Sequence, residues 1–318
     1  MRNIRTDLAL EAREMYSEEN RKDIEIPGVK VDKKELEDCI ITKVEILNEQ
    51  GSNAMGKEKG VYITIETKLM KYDDDESREQ VTQFVTTELQ GVLGNDKTKK
   101  TLVIGLGNWN ITSDALGPRT VSKTLVTRHI FKNYNKDYDD DFTEVAALSP
   151  GVMGITGIET SETVKSLVDM LKPDRVIAID ALASRKMERV NSTIQISTAG
   201  IAPGAGIGNK RKSLNEEYLG VPVIAIGVPT VVDAATLTSD ILDIAIDSLM
   251  SQSEAGGSFY NMLKELQEDE KYHLIKDALD PYDQNVVVTP KDIDETIENL
   301  AVIISEGLNR SLHPGRLN

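Results

Sequence analysis

The sequence predicts an α/β fold: a mostly parallel central sheet flanked by helices, with a smaller peripheral sheet beside it. From Thr101 onward, short runs rich in Val, Ile and Ala alternate with longer segments of helical spacing, the pattern of strands covered on both faces and joined by crossover helices. The connecting loops are glycine-rich. A chain of 318 residues with 39% hydrophobic content is large enough to enclose a substantial core.

The strands read in order as Thr101–Gly105, Glu144–Leu148, Arg175–Asp180 and Val221–Gly227. Between them, apolar residues at helical spacing predict helices over Thr120–Tyr134, Glu159–Leu171 and Ala234–Met250. Val61–Lys68 and Val190–Thr198 alternate as strands with one wet face do, and are assigned to the periphery. Asp73–Glu76 and Asp137–Asp141 read as solvated acidic loops. Near the end, Thr289-Pro290 opens a helix with Ile293, Ile297, Leu300, Ile304 and Leu308 on one face, most simply a core face.

Composition narrows the function. The formal charge of −16 works against binding a phosphate backbone, which relies on lysine and arginine to release counterions, so no direct nucleic-acid partner is expected. No apolar stretch of about 18 residues occurs and the N-terminus lacks a secretory pattern, so no membrane partner is expected and the location is cytoplasmic. A single cysteine, Cys39, excludes an intrachain disulfide and sits in an apolar run that reads as core.

In sheets of this kind ligands collect beyond the carboxyl ends of the strands. The first such loop, GLGNWNITSDALGP at Gly105–Pro118, fits a dinucleotide fingerprint poorly: Asn110 stands where the third glycine belongs, and Pro118 places the helix start late. His129, His273 and His313 lie away from predicted strand ends, and there is neither an H-E-x-x-H zinc motif nor a G-x-S-x-G elbow. What remains is carboxylate: Asp180 at the end of its strand and Asp114 in the first loop. The residues alone allow two uses, catalytic acids sharing a crevice or a helix cap and a turn brace.

Several strings resemble those of the spore germination protease family: TSDALGPRTV, SPGVMGITGIET, AIDALASR, GAGIGNKRK and IGVPTVVDAATL. The resemblance runs from Ile4 to the C-terminal helix. It implies a fold similar to the hydrogenase-maturation proteases and an endopeptidase that degrades small acid-soluble, DNA-coating spore proteins at germination. Those proteins would be its substrate in the spore core, with no cofactor and no metal. It also implies a homotetrameric zymogen of atypical aspartic type, with Asp114 and Asp180 as the catalytic pair. Thr6-Asp7-Leu8-Ala9-Leu10-Glu11 imitates the family's cleavage sites, so self-processing is expected between Asp7 and Leu8. Met1–Asp7 would then be the propeptide, shorter than the family leads one to expect, and 8–318 a single peptidase domain with peripheral insertions.

Two carboxyls in a partly dry crevice share a proton, so the charged one would deprotonate water and the other protonate the carbonyl oxygen or leaving nitrogen. Backbone N–H groups of Gly151–Gly157 or Gly200–Gly208 are candidate oxyanion donors, with tight turns as their alternative use. Lys210 and Arg211, or Arg185, are candidates to meet the acidic residue before the cut. The competing readings are a metal-assisted peptidase using Asp114, Glu159 and Asp180 as oxygen ligands, and a non-enzymatic small-molecule-binding module.

Overall fold

The computed structural model describes residues 6–19, 25–94, 96, 98–133, 142–202, 212–253, 257–265, 275 and 286–313. Within them the chain runs α1 (Ala9–Glu19), β1 (Val29–Glu35), β2 (Ile40–Ile46), α2 (Glu49–Met55), β3 (Gly60–Glu66) and α3 (Asp75–Leu93). It continues as β4 (Thr101–Gly105), α4 (Leu116–Lys123), α5 (Arg128–Asn133), β5 (Val145–Leu148), α6 (Met153–Thr156), α7 (Thr160–Leu171), β6 (Arg175–Ser184) and β7 (Thr193–Ser197). The last part holds α8 (Glu216–Leu219), β8 (Val223–Asp233), α9 (Ala234–Gln252), α10 (Ser258–Glu265), β9 (Val287–Val288) and α11 (Ile293–Leu312).

All described strands join one sheet in the order β1-β2-β3-β7-β8-β6-β4-β5, with β9 paired to β8. The stretch β5-β4-β6-β8 is parallel, as the alternation of strand and helix predicts. From β8 outward the pairing turns antiparallel through β7, β3, β2 and β1. The separate peripheral sheet expected from Val61–Lys68 and Val190–Thr198 is therefore a wing of the main sheet. The polar side of β7 is not wet either, because Thr193, Gln195 and Ser197 are all buried.

One sheet face packs on α3, α4 and α11, joining Ile177, Ile179 and Ile226 to Val81, Val85, Leu89, Leu116 and Ile304. The opposite face packs on α7, with Val176 and Ala178 against Val164 and Val168. A third cluster gathers Ala9, Val44, Ile46, Met55 and Tyr62 under α1 and α2. The five apolar residues expected on one face of the C-terminal helix are buried in the core of α11. Cys39 is buried, and desolvation, helped by Glu88 and Glu66, pushes its thiol pKa up to about 12.

Four expectations change. Asp73–Glu76 is a helix start: the Asp74 carboxylate accepts from Ser77 N at 2.8 Å and caps α3, which the sequence pattern did not reveal. The helix expected over Thr120–Tyr134 is interrupted after Lys123, where Leu125 N donates to Asn309 Oδ1 and the Thr127 hydroxyl to Thr143 O. Side chains thus take over main-chain groups that a helix would have used; Tyr134 lies outside the described residues. The strand predicted to end at Asp180 continues to Ser184, and the one predicted to end at Gly227 continues to Asp233. Asp137–Asp140 and Asp141 lie outside the described residues.

Candidate active site

The corner between β4 and α4 is fixed by close backbone approach. β4 ends at Gly105, opposite Ile179, and Leu106 N donates to Ile179 O at 2.8 Å. At Gly117, in the first turn of α4, an added Cβ would lie 2.3 Å from Leu106 O and 2.5 Å from Ile179 O, so no side chain fits there. Gly107 has φ +111°, a conformation that favours glycine, and its Cα faces the Asp114 main chain. These glycines serve helix-to-sheet packing, which explains the loop without phosphate.

Asp114 closes a 3₁₀ turn, Thr112–Asp114, and its Oδ2 accepts from Asn108 N at 2.8 Å. The Thr230 hydroxyl on β8 donates to Ser113 O at 2.6 Å, tying the turn to the sheet. Asp180 is the residue after Ile179, one position beyond the last pairing of β4, and is 5% exposed. It shares the parity of Val176 and Ala178, hence the α7 face of the sheet. The Asp114 turn and Asp180 thus lie at the same end of the sheet, where β4 stops and β6 goes on, the turn leading into α4 on one face and Asp180 on the α7 face. Asp114 braces its loop, which is one of the two uses that the sequence left open.

The segment Thr6–Glu11 lies on the sheet beside this edge. Asp7 N donates to Ala183 O at 2.9 Å, and Ala183 N donates to Asp7 Oδ2 at 2.9 Å. Leu8 and Ala9 are fully buried. Ala9 N donates to Gln195 Oε1 at 2.8 Å, while Gln195 Nε2 donates to Asp7 O at 3.3 Å. The Lys57 ammonium donates to Thr6 O and to Asp7 O, both at 3.0 Å. Burial holds the Lys57 pKa below its usual value, although Asp7 and Glu11 oppose that shift. A cavity of about 240 Å³ opens here, lined by Asp7, Lys57, Tyr62, Leu182, Gln195 and Gly227 among others.

Beyond the leader the contacts become ionic. Glu11 is 1% exposed; its carboxylate accepts from Arg185 N at 2.7 Å and Lys186 N at 3.1 Å, and lies 3.4 Å from the Arg189 guanidinium. Arg189 also pairs with Glu14 and Glu66 at 2.6 and 2.9 Å. Burial opposes ionisation of Glu14, but hydrogen bonds from Arg189 and Lys186 outweigh it and hold the carboxyl below its ordinary value.

The remaining candidates fall as follows. Arg185 meets Glu11 through its main chain, and its buried guanidinium lies 3.8 Å from Asp240. Lys210 and Arg211 lie outside the described residues, as does most of Gly200–Gly208. The N–H groups of Ile155, Thr156 and Gly157 are used within the turn of α6, which gives that glycine loop its turn function. Glu159 occupies the N-cap of α7 without capping through its side chain. Among the described residues no group of three or more His, Cys, Asp and Glu side chains could hold a metal ion. His313 is buried, takes a hydrogen bond from Thr143 N and packs on Phe142.

The sequence did not single out Lys57, Gln195 or Arg189, and it has Glu11 only as part of the cleavage-site string. The signal for Gln195 was present: the polar side of Val190–Thr198, read as solvated, is the side that meets the main chain of Asp7–Ala9. No local pattern distinguishes Lys57 from a surface lysine.

A family model described as germination protease matches residues 9–253 and 245–316. The chain is 50% identical over 315 residues to a germination protease of Clostridium perfringens (strain ATCC 13124), covering 99% of this chain and 96% of that one. It is 51% identical over 312 residues to the one from Caldanaerobacter subterraneus subsp. tengcongensis, covering 98% and 95%. Among solved structures it is similar to the [NiFe] hydrogenase maturation protease HycI from Thermococcus kodakarensis, with 16% identity, a TM-score of 0.34, and coverage of 70% of this chain and 98% of that one. That last likeness is too distant to carry an inference about this chain. No described helix is long and apolar enough to cross a membrane.

Proposed function

The chain belongs to the germination protease family, a family of peptidases, and from that premise we propose that it hydrolyses peptide bonds with Asp114 and Asp180 as an acid–base pair. The observation that carries this reading is the β4–α4 corner. The packing of Gly117 on Ile179 holds the Asp114 turn beside the strand position that Asp180 occupies. In this reading one of the two carboxyls is ionised and the other protonated when the peptide is attacked. The ionised member takes a proton from the attacking water; the protonated member gives one to the leaving nitrogen.

The substrate class is an extended acidic peptide, the small acid-soluble spore proteins being the family's expected example. The chain's own Thr6–Leu8, just before α1, supports this, since Asp7 pairs with Ala183 through its main chain and its carboxylate and the next two residues are buried. In this reading Met1–Asp7 is a propeptide, 8–318 is one peptidase domain, and self-cleavage at Asp7–Leu8 converts a zymogen to the active enzyme. A homotetramer in the spore core is the assembly and place that the family suggests.

The test is to purify the full chain, expose it to acid or dehydrating conditions, and follow intact mass and N-terminal sequence. A new terminus at Leu8 is expected. Asp114→Asn and Asp180→Asn should each fold and lose cleavage by at least about 10²-fold, the usual contribution of a positioned acid or base. Persistent cleavage in the double variant removes the mechanism. Activity surviving exhaustive chelation is the expected result, and dependence on an added divalent cation would favour the metal-assisted alternative.

A further inference from the structure

Lys57 follows α2, whose C-cap Gly56 turns the chain with φ +60°. Its main chain is pinned there, with Lys57 N donating to Ser52 O at 3.3 Å and the Ser52 hydroxyl donating to Lys57 O at 2.6 Å. A lysine ammonium ordinarily faces water or a carboxylate. This one reaches into the cavity and donates to two main-chain carbonyls, Thr6 O and Asp7 O, both at 3.0 Å. The second is the carbonyl of the Asp7–Leu8 peptide. Gln195 spans this peptide and the next: its Nε2 donates to Asp7 O at 3.3 Å and its Oε1 accepts from Ala9 N at 2.8 Å. One planar side-chain amide thus straddles the bond between Asp7 and Leu8.

The row beneath places this peptide relative to the aspartates. Gln195 pairs with Gly227, and Gly227 with Asp180, so the three stand in line across β7, β8 and β6 on one face of the sheet. Two strand spacings separate Gln195 from Asp180, about 10 Å between Cα atoms. Gly227 between them has no side chain, and Leu182 fills the space above it, 2.4 Å from where a Cβ would stand.

We propose that Lys57 and Gln195 are the electrophilic pair for the hydrolysis, holding the oxygen of the scissile carbonyl as it becomes an oxyanion. The proposal rests on the cleavage at Asp7–Leu8 read above. In the step, the water oxygen bonds to the Asp7 carbonyl carbon while the C=O π pair moves onto oxygen. The proton lost from water goes to the ionised carboxylate of the aspartate pair. Collapse of the tetrahedral carbon breaks the bond to Leu8 N, which takes a proton from the protonated carboxyl, leaving an Asp7 α-carboxyl and a Leu8 amine. Lys57 already stands at the distance an oxyanion donor needs, and Gln195 a few tenths of an ångström beyond it. The cation also offsets the negative charge that two aspartates and a new oxyanion concentrate in one crevice.

The test uses the full chain under the self-cleavage conditions, with rates from intact mass and thermal midpoints measured alongside. Lys57→Met, which keeps length and removes the donor, should lower the self-cleavage rate by about 10²-fold, as removal of one oxyanion donor typically does. Lys57→Arg should recover part of that loss. Gln195→Glu keeps shape but replaces the donor by an acceptor and should lower the rate as well. With a peptide carrying Thr-Asp-Leu-Ala-Leu-Glu as substrate, the loss should fall on kcat rather than KM, a split that a merely structural role would not give. A rate within about threefold of wild type in any folded Lys57→Met or Gln195→Glu chain overturns the proposal. So does the same loss in Lys57→Arg as in Lys57→Met. If Asp114→Asn and Asp180→Asn are inactive while Lys57→Met is not, this inference alone fails; if the aspartate variants cleave normally, the aspartic reading fails instead.

Discussion

The two regions that meet at the candidate site are held by different forces. The β4–α4 corner is set by sterics: backbone lies on backbone at Gly105, Gly107 and Gly117, and Asp114 rides on that contact. Asp7 to Glu14 add to the apolar packing of Ala9 a dense set of polar contacts: Asp7 on Ala183, Asp7–Ala9 on Lys57 and Gln195, and Glu11 and Glu14 on the Arg185–Arg189 segment. Backbone packing of the first kind is insensitive to salt and pH, whereas polar contacts of the second kind are ones that solvent and protons can replace.

The largest effect should come from breaking the steric side. Gly117→Ala forces a methyl against two main-chain oxygens that cannot move independently, and should cost about 3 kcal/mol, at the upper end for overpacking, with loss of cleavage. Urea unfolding and the self-cleavage assay check both parts. Glu11→Gln should come next. It weakens hydrogen bonds from a charged, buried acceptor worth about 2 kcal/mol, and should expose residues 6–19 to hydrogen exchange while α4 remains protected.

Acid should separate the regions without any mutation. Because the folded Glu14 pKa is held below its ordinary 4.5, its pairing with Arg189 and Lys186 contributes stability fully above the unfolded value. That contribution is lost as pH falls through the lower folded value, so exchange in α1 should accelerate in this range before exchange in α4 does. The smallest effect should be at Glu298, which ties α11 to Arg119 and Lys123 on α4 from a 46% exposed position. Glu298→Gln should change stability by no more than about 0.5 kcal/mol, since an exposed pair is screened by water, and leave cleavage intact. A large effect there would mean that the corner depends on charge after all.

Much of the parallel half was legible in the sequence. Thr101–Gly105 is a strand with the predicted ends and Ala234 begins a helix as predicted, whereas the C-terminal helix starts at Ile293, after Asp292, rather than at Thr289-Pro290. Local rules succeed there because each element is covered on predictable faces. They fail at α3, whose apolar face is diluted by Thr82 and Thr86, both buried against the core. They fail again at β7, where alternation reads as a solvated face: the rule sees that Gln195 is polar, not that the main chain of Asp7–Ala9 lies over it.

What the sequence alone determined is a set of candidates: strand ends furnished with aspartate and without histidine or an activated nucleophile, joined by glycine loops unsuited to phosphate, in a chain too acidic to favour DNA. Its strings also pointed to the family. Only the tertiary structure decided which distant groups share the site. Register across β6, β8 and β7 aligns Asp180 with Gln195, and the turn after α2 carries Lys57 to the carbonyl of Asp7. Such placements arise from pairing between residues far apart in the chain, and no local pattern of apolar and polar residues encodes them.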